Sequence, residues 1–396
     1  MNAPADPPVA PSSPALSHVG VMDGLRGLAV AWVVWFHIWQ LSWLPQHLGP
    51  ISLQHLVETG FSGVELFFFI SGFCLFLPWV RARLSGSPAP GLRHYAYRRA
   101  IKILPSYWLS LLAMLAIARP DWLTDPAAVA WNLGWHLVFL QNVVDSTQQA
   151  INGVTWSLGV EVQFYVLFPL VAAAFVRFPR TTCLALVALA EAWRRGAAAW
   201  WPGSLSYAMI QLPAYVDLFA FGMAAAWLIA HRAASPPPTR LARALATLVA
   251  LGALAWVNGY ASGLWDSRIG NSLWPLSWQV QQRGGLGLAF LVLAVASARA
   301  LPAWQALLAW RPLVWLSLIS YNLYLWHQFL GRQLMYTWRW PPAATPDPHQ
   351  DPAWALPFTL VAYTLALAVA GLITHGLERP LLRHGPRGCL RRLLGH

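Results

Sequence analysis

Arg26 and His37 stand eleven positions apart in the apolar run VMDGLRGLAVAWVVWFHIW. On a helix, eleven steps close about three turns, which leaves the two side chains within about 20° of one another and about 16 Å apart along the axis. An arginine near one surface of a bilayer would then look toward a histidine near its middle, where an ionisable group is costly and marks a functional position by default. An imidazole, with an unperturbed pKa near 6.5, is suited to taking up a proton near neutral pH. A second apolar run carries Ser157, Glu161 and Tyr165 at i, i+4 and i+8, one polar stripe with a carboxylate that must be paired, protonated or set in a water-filled cavity. Glu65 is a similar case in another run. Ser320, Tyr324 and His327 share one side of a further run, and Arg98, Arg99 and Lys102 cluster ahead of yet another. That cluster suits either phosphate groups or an anionic lipid surface.

These residues need helices to position them, and the composition supplies the setting. Of 396 residues, 57% are apolar, 10% are charged and 25 are Trp, where a soluble chain would carry about a quarter charged residues. Apolar stretches near 20 residues recur, each able to cross a hydrocarbon core of about 30 Å. They predict ten spans, at about 22–44, 58–80, 103–120, 156–177, 181–193, 214–231, 241–258, 282–299, 312–332 and 353–376. The fifth is short and either stops near 193 or continues through Ala197–Trp201, past Arg194, Arg195 and Gly196. Pro105 and Trp108 are expected to set where the third span begins and its depth. The expected fold is an all-α integral membrane protein, a bundle of about ten transmembrane helices.

Orientation follows from the basic residues. With the N-terminus inside, 19 of the 26 Lys and Arg fall on the inner side. Seven are left outside: Arg119, Arg194, Arg195, Arg268, Arg283, Arg332 and Arg339. The positive-inside rule then places both termini in the cytoplasm, and the formal net charge of +12 needs no nucleic acid to explain it. Residues 1–18, rich in Pro, Ala and Ser, are expected to be a disordered cytoplasmic tail and carry no cleavable signal pattern. Residues 383–396 form a basic cytoplasmic C-terminal tail. Cys74, Cys183 and Cys389 are odd in number and scattered, suggesting neither a disulfide framework nor a metal site. The segment WNLGWHLVFLQNV within 121–155 is too short to cross and is expected to lie at the interface or re-enter. Nothing between the spans is large enough to be a separate folded domain, so any activity belongs to the bundle.

Read together, five segments resemble the membrane-bound acyltransferase family 3. They are MDGLRGLAVAWVVWFH at 22–37, GVELFFFISGF at 63–73, RRAIKILPSYW at 98–108, TWSLGVEVQFYVLFPL at 155–170 and SYNLYLWH at 320–327, with a trailing ERP at 378–380. There are departures. The family's usual aspartate in the second segment is Glu65, and its Arg–x–x–Arg pair reads Arg99–Ala–Ile–Lys102. The sixth span keeps Asp217 and a glycine but lacks the arginine often found before them. Many relatives carry a further extracytoplasmic hydrolase-like domain, and the stand-alone form is expected here.

The resemblance implies an acyltransferase domain over 19–382, in a multi-pass protein of the bacterial inner membrane that O-acylates envelope glycans or other hydroxyl acceptors. Its co-substrate would be an acyl-CoA, acetyl-CoA first, with no metal. Such transfer needs a base, oxyanion donors and cations for the donor's phosphates. His37 is expected as the base. Arg26 would bind the donor's pyrophosphate or orient its thioester, held by Asp23 three residues earlier. Glu161 would orient His37 or bind an acceptor hydroxyl. Arg98, Arg99 and Lys102 would bind the donor. Glu65, Trp156, Ser157, Tyr324 and His327 would contact the acceptor. Direct transfer and a route through an acyl-enzyme both satisfy the sequence. Buried Glu65, Glu161, Asp217 and His37 would also suit a proton-coupled exporter, the alternative that a test for acyl transfer separates.

Overall fold

The computed structural model describes residues 16–118, 124–233, 235–270, 275–351 and 353–393. The described chain is almost wholly helical. In order, the helices are α1 (Leu16–Ser42), α2 (Gln54–Glu58), α3 (Gly63–Ser85), α4 (Leu92–Ala118), α5 (Pro126–Leu137), α6 (Thr155–Arg177), α7 (Pro179–Trp200), α8 (Leu205–Ala208), α9 (Val216–Ala233), α10 (Arg240–Gly270), α11 (Pro275–Ser297), α12 (Pro302–Leu308), α13 (Arg311–Arg332), α14 (Ala355–Ile373) and α15 (Arg379–Leu393). One small antiparallel ladder pairs His47 with Ser52 and Leu48 with Ile51.

Eight of the described helices are long and apolar enough to cross a membrane: α1, α3, α4, α6, α9, α10, α11 and α14, the last continuing into α15. The fifth and ninth expected spans are helices α7 and α13, each 22 residues long. They carry more polar side chains, of which Arg194, Ser317, Ser320, Asn322 and His327 are buried. In α7 the helix continues unbroken through Arg194, Arg195 and Gly196 to Trp200, because Arg194 is buried rather than snorkelling to a surface.

Backbone packing sets where α1 lies. A Cβ on Gly24 would sit 1.7 Å from Leu308 O, and one on Gly27 would sit 2.2 Å from Leu313 O. These two glycines flank Arg26, so the DGLRG segment lets α1 press against the α12–α13 corner and fixes the depth of the arginine. A similar approach joins α3 to α9, where a Cβ on Gly72 would meet Phe219 O at 2.2 Å. Around that crossing, aromatic rings fill the core, with Phe164 and Phe219 stacked at 3.9 Å.

Several expectations change. The tail expected over residues 1–18 lies outside the described residues up to position 15, and Leu16–His18 already belong to α1. α4 begins at Leu92, well before the expected span, so Arg98, Arg99 and Lys102 are helical and Pro105 lies inside the helix instead of at its start. The apolar run began late because the first turns of this helix are cationic. At the other end, α15 extends helix through much of the expected C-terminal tail, with a break at Gly385 (φ 67°), and its last positions, 394–396, lie outside the described residues. The segment after α5 turns at Phe139–Asn142 and packs on Gly159 and Gln163, one to two turns into α6.

Candidate functional site

α1, α3, α4, α6 and α13 enclose a central cavity of about 150 Å³. Each contributes polar groups from one helical stripe: Arg26 from α1, Ser71 and Cys74 from α3, Arg99 and Lys102 from α4, Ser157, Glu161 and Tyr165 from α6, and Ser317, Ser320, Tyr321 and Tyr324 from α13. The stripe expected on α6 is therefore real. Glu161 Oε1 accepts a hydrogen bond from Tyr165 Oη at 2.5 Å and another, short one from Ser71 Oγ. A carboxylate at this depth is thus bound by two hydroxyl donors and faces a polar chamber, the condition under which such a group is tolerated in a membrane.

A second, larger cavity of about 780 Å³ meets the first at a ring formed by Arg26, Cys74, Arg99, Lys102 and Ser317. It is the cationic end of the bundle, adding Arg98, Arg311, Arg379 and Arg383. Two acidic residues, Asp23 and Glu378, also line it. Glu378 forms a close ion pair with Lys102, and its other oxygen accepts from Asn322 Nδ2 at 3.0 Å. The turn that presents Glu378 is a π-helical one, Thr374–Glu378, a local widening that often marks positions of functional weight.

Arg26 Nη2 donates to Cys74 Sγ at 3.1 Å. No ion pair within 4 Å joins Arg26 to Asp23 among the described residues; Asp23 instead accepts from Ser317 Oγ at 3.5 Å. Although three residues apart on one helix, the carboxylate turns toward α13 and the wider cavity.

His37 does not line the central cavity; the cavity-lining Tyr324 reaches it through His327. The Tyr324 hydroxyl is 2.7 Å from Ser157 Oγ and donates to Val154 O at 3.1 Å, which pins the side chain. Behind it, the Tyr324 and His327 rings are 5.9 Å apart, and His327 Nε2 is 3.0 Å from His37 Nδ1. The proton positions follow from the partners. His327 Nδ1 faces Leu323 O at 2.9 Å, and a carbonyl only accepts, so that nitrogen carries the hydrogen and a neutral His327 offers Nε2 as an acceptor. His37 Nδ1 faces that acceptor and Val33 O at 3.1 Å, so it is the donor. His37 Nε2 is left as a lone pair with no partner among the described residues, on a half-buried side chain. This is the tautomer a general base needs.

The remaining expected site residues go elsewhere. His327 is buried, does not line the cavity and contacts His37. Trp156 packs at 5.9 Å from the Tyr215 ring, away from the chamber. Glu65, six residues before Ser71 and so about 120° round α3 from it, does not line the chamber and pairs with buried Arg283 at 3.3 Å. The guanidinium of Arg283 in turn lies 4.3 Å over Tyr215. Asp217 pairs at 2.8 Å with Arg194, both fully buried. The arginine missing from the sixth span is thus supplied by α7. Arg194 and Arg283, counted among the outer basic residues, are neither exposed nor free. Sequence reasoning passed over Ser71, Cys74 and Tyr321. The first two, with Phe67, repeat at i, i+4 and i+7 on α3, so helical spacing alone marked them as one face.

The family model described as an acyltransferase domain matches residues 19–375. A Komagataeibacter xylinus protein assigned as the membrane-bound transacylase BcsY is 29% identical over 320 residues, covering 77% of this chain and 71% of that protein. A Bacillus subtilis protein assigned as the peptidoglycan O-acetyltransferase YrhL is 23% identical over 399 residues, covering 95% of this chain and 56% of its own length. The O-acetyltransferase OatA of Staphylococcus aureus is 29% identical over 160 residues, 38% of this chain and 24% of that protein. No solved structure gives a significant match.

Proposed function

The chain belongs to the acyltransferase domain family, and from that premise we propose that it is a membrane O-acyltransferase moving an acyl group from cytoplasmic acyl-CoA to a hydroxyl of an envelope glycan or another extracytoplasmic or lipid-linked acceptor. His37 is its general base. In this reading the protein sits in the bacterial inner membrane with its cationic cavity toward the cytoplasm, as the positive-inside rule requires.

The donor's phosphates lie in the wide cavity among Arg98, Arg311, Arg379 and Arg383, and its pantetheine arm passes the ring of Arg26, Arg99 and Lys102. Lys102 is partly neutralised by Glu378, so Arg26 and Arg99 supply most of the uncompensated charge there. The thioester carbonyl then stands in the central cavity beside the Ser157 and Tyr324 hydroxyls. From the far side, an acceptor hydroxyl gives its proton to His37 Nε2 as its oxygen adds to the carbonyl carbon. The tetrahedral oxyanion accepts hydrogen bonds from those hydroxyls. Collapse breaks the carbon–sulfur bond, the ester leaves with the acceptor, and the proton held on His37 Nε2 passes to the CoA thiolate, which restores the base. Tyr324 stands between the two halves of the reaction, so transfer requires it to swing off Ser157 and Val154. Glu161, with Ser71 and Tyr165, orders the polar wall against which the thioester rests.

The observation that carries this reading is the pairing of a base-competent His37 Nε2 on one side of Tyr324 with a cation-lined chamber on the other. A deletion strain complemented with His37→Ala tests it, with membrane yield matched to wild type and envelope glycans compared by mass spectrometry. The acyl mass increment should return with wild type and stay absent with the variant. An increment restored by His37→Ala defeats the assignment.

A further inference from the structure

A third space borders the central cavity and shares three lining residues with it. It is an apolar slot of about 360 Å³ between α4 and α6. Ala96, Ala100 and Ile103 form one wall at helical spacing, and Val162, Val166 and Pro169 form the other. Two alanines stand on α4 where larger side chains would fill the space between the two helices, so the gap is written into the sequence. The slot opens toward the lipid, with Val166 74% exposed. At its inner end, Arg99, Ile103 and Tyr165 line the slot and the central cavity alike. Arg99 lies 5.8 Å over the Tyr165 ring, and its Nε is buried with no hydrogen-bond partner among the described residues. A buried donor left in this state is open to a polar group of a ligand in the central cavity, at the mouth of the slot.

We infer that this slot is the subsite for the donor's acyl chain, and that the preferred donor is a fatty acyl-CoA of medium chain length rather than acetyl-CoA. The inference rests on the acyl-CoA reading given above. The order of surfaces matches such a donor from end to end: a cationic cavity for phosphates, a polar chamber for the thioester, then an apolar slot for a hydrocarbon chain. An acetyl group would leave the slot unused. The acceptor has no route to it on this reading, because the acceptor meets His37 on the other side of Tyr324. Since the slot is open to lipid, chains long enough to emerge from it would gain little more.

Equilibrium binding of acetyl-, butyryl-, octanoyl- and lauroyl-CoA to the protein in nanodiscs, corrected for binding to empty nanodiscs, tests this. Affinity should rise about fourfold per methylene over the first carbons and then level off. Ala100→Trp, which plugs the slot, should reduce octanoyl-CoA to the affinity of acetyl-CoA while leaving acetyl-CoA within about twofold. The smaller Ala100→Leu should give an intermediate profile, and it decides the matter if the Trp variant does not fold. Equal affinity for all chain lengths, or an undiminished length dependence in both variants, overturns the inference and leaves the acyl-CoA reading standing. No binding of any acyl-CoA to the wild-type protein removes both.

Discussion

His327 holds the Nδ1–H of His37 with a neutral nitrogen at 3.0 Å, where hydrolase triads use a carboxylate. The arrangement fixes the ring and its tautomer without placing a negative charge deep in the bilayer, where one would be costly. It also gives His327 and His37 separable effects.

Replacing His37 by Ala removes the proposed base and should lower acyl transfer by at least about 100-fold. His327→Ala removes only the orienting acceptor, worth about 1–1.5 kcal/mol, so kcat should fall roughly tenfold with KM for acyl-CoA unchanged. His327→Gln retains an acceptor oxygen and should recover part of the loss. A His327→Ala variant that raised KM for the donor instead would show that this residue contacts substrate.

Arg26 is expected to act on the donor. Arg26→Lys keeps the charge but loses the forked geometry, and should weaken acyl-CoA binding while the protein's melting temperature stays within a few degrees. Unchanged affinity in Arg26→Ala would return Arg26 to the status of a surface anchor.

Asp217 and Glu65 each pair with a buried arginine in this fold. Asp217→Ala leaves the buried Arg194 guanidinium with only Glu191 as its charge partner, and should cost about 3–5 kcal/mol of stability, read as a large drop in melting temperature. The double variant Arg194→Leu with Asp217→Leu should recover much of that loss, since an apolar pair of similar bulk needs no desolvation of charge. Continued low stability in the double variant would mean that the two residues do not act as a pair.

Outside the spans, Asp347 caps the turn at His349. The His349 backbone N–H donates to its Oδ1 at 3.1 Å, and the His349 ring faces the same oxygen. The backbone bond foremost, then the ring, holds the Asp347 carboxyl below its ordinary range. A depressed carboxyl stabilises the fold fully above its unfolded value near 3.9, and the contribution is lost as pH falls through the lower folded value. Hydrogen-exchange protection of the His349 amide should therefore hold at pH 5 and above and fall only in stronger acid. Loss of protection already at pH 6 would assign that turn's order to another group.

Helical periodicity and the rarity of charge at membrane depth are local properties, legible along a single chain. They were enough to mark the long helices, the Arg26–His37 face, the Ser157–Glu161–Tyr165 stripe and the cationic cluster at 98–102. What a side chain pairs with is decided across helices. His37 meets His327 over a sequence separation of 290, Lys102 meets Glu378 over 276, and Ser71 meets Glu161 over 90. Glu65 and Glu161 look alike in sequence, each an acid in an apolar helix. The rotation of α3 turns one toward Arg283, and that of α6 turns the other into the chamber. A buried charge must find a partner, but its sequence does not say which, because that depends on how neighbouring helices are rotated and how closely residues such as Gly24, Gly27 and Gly72 let them approach.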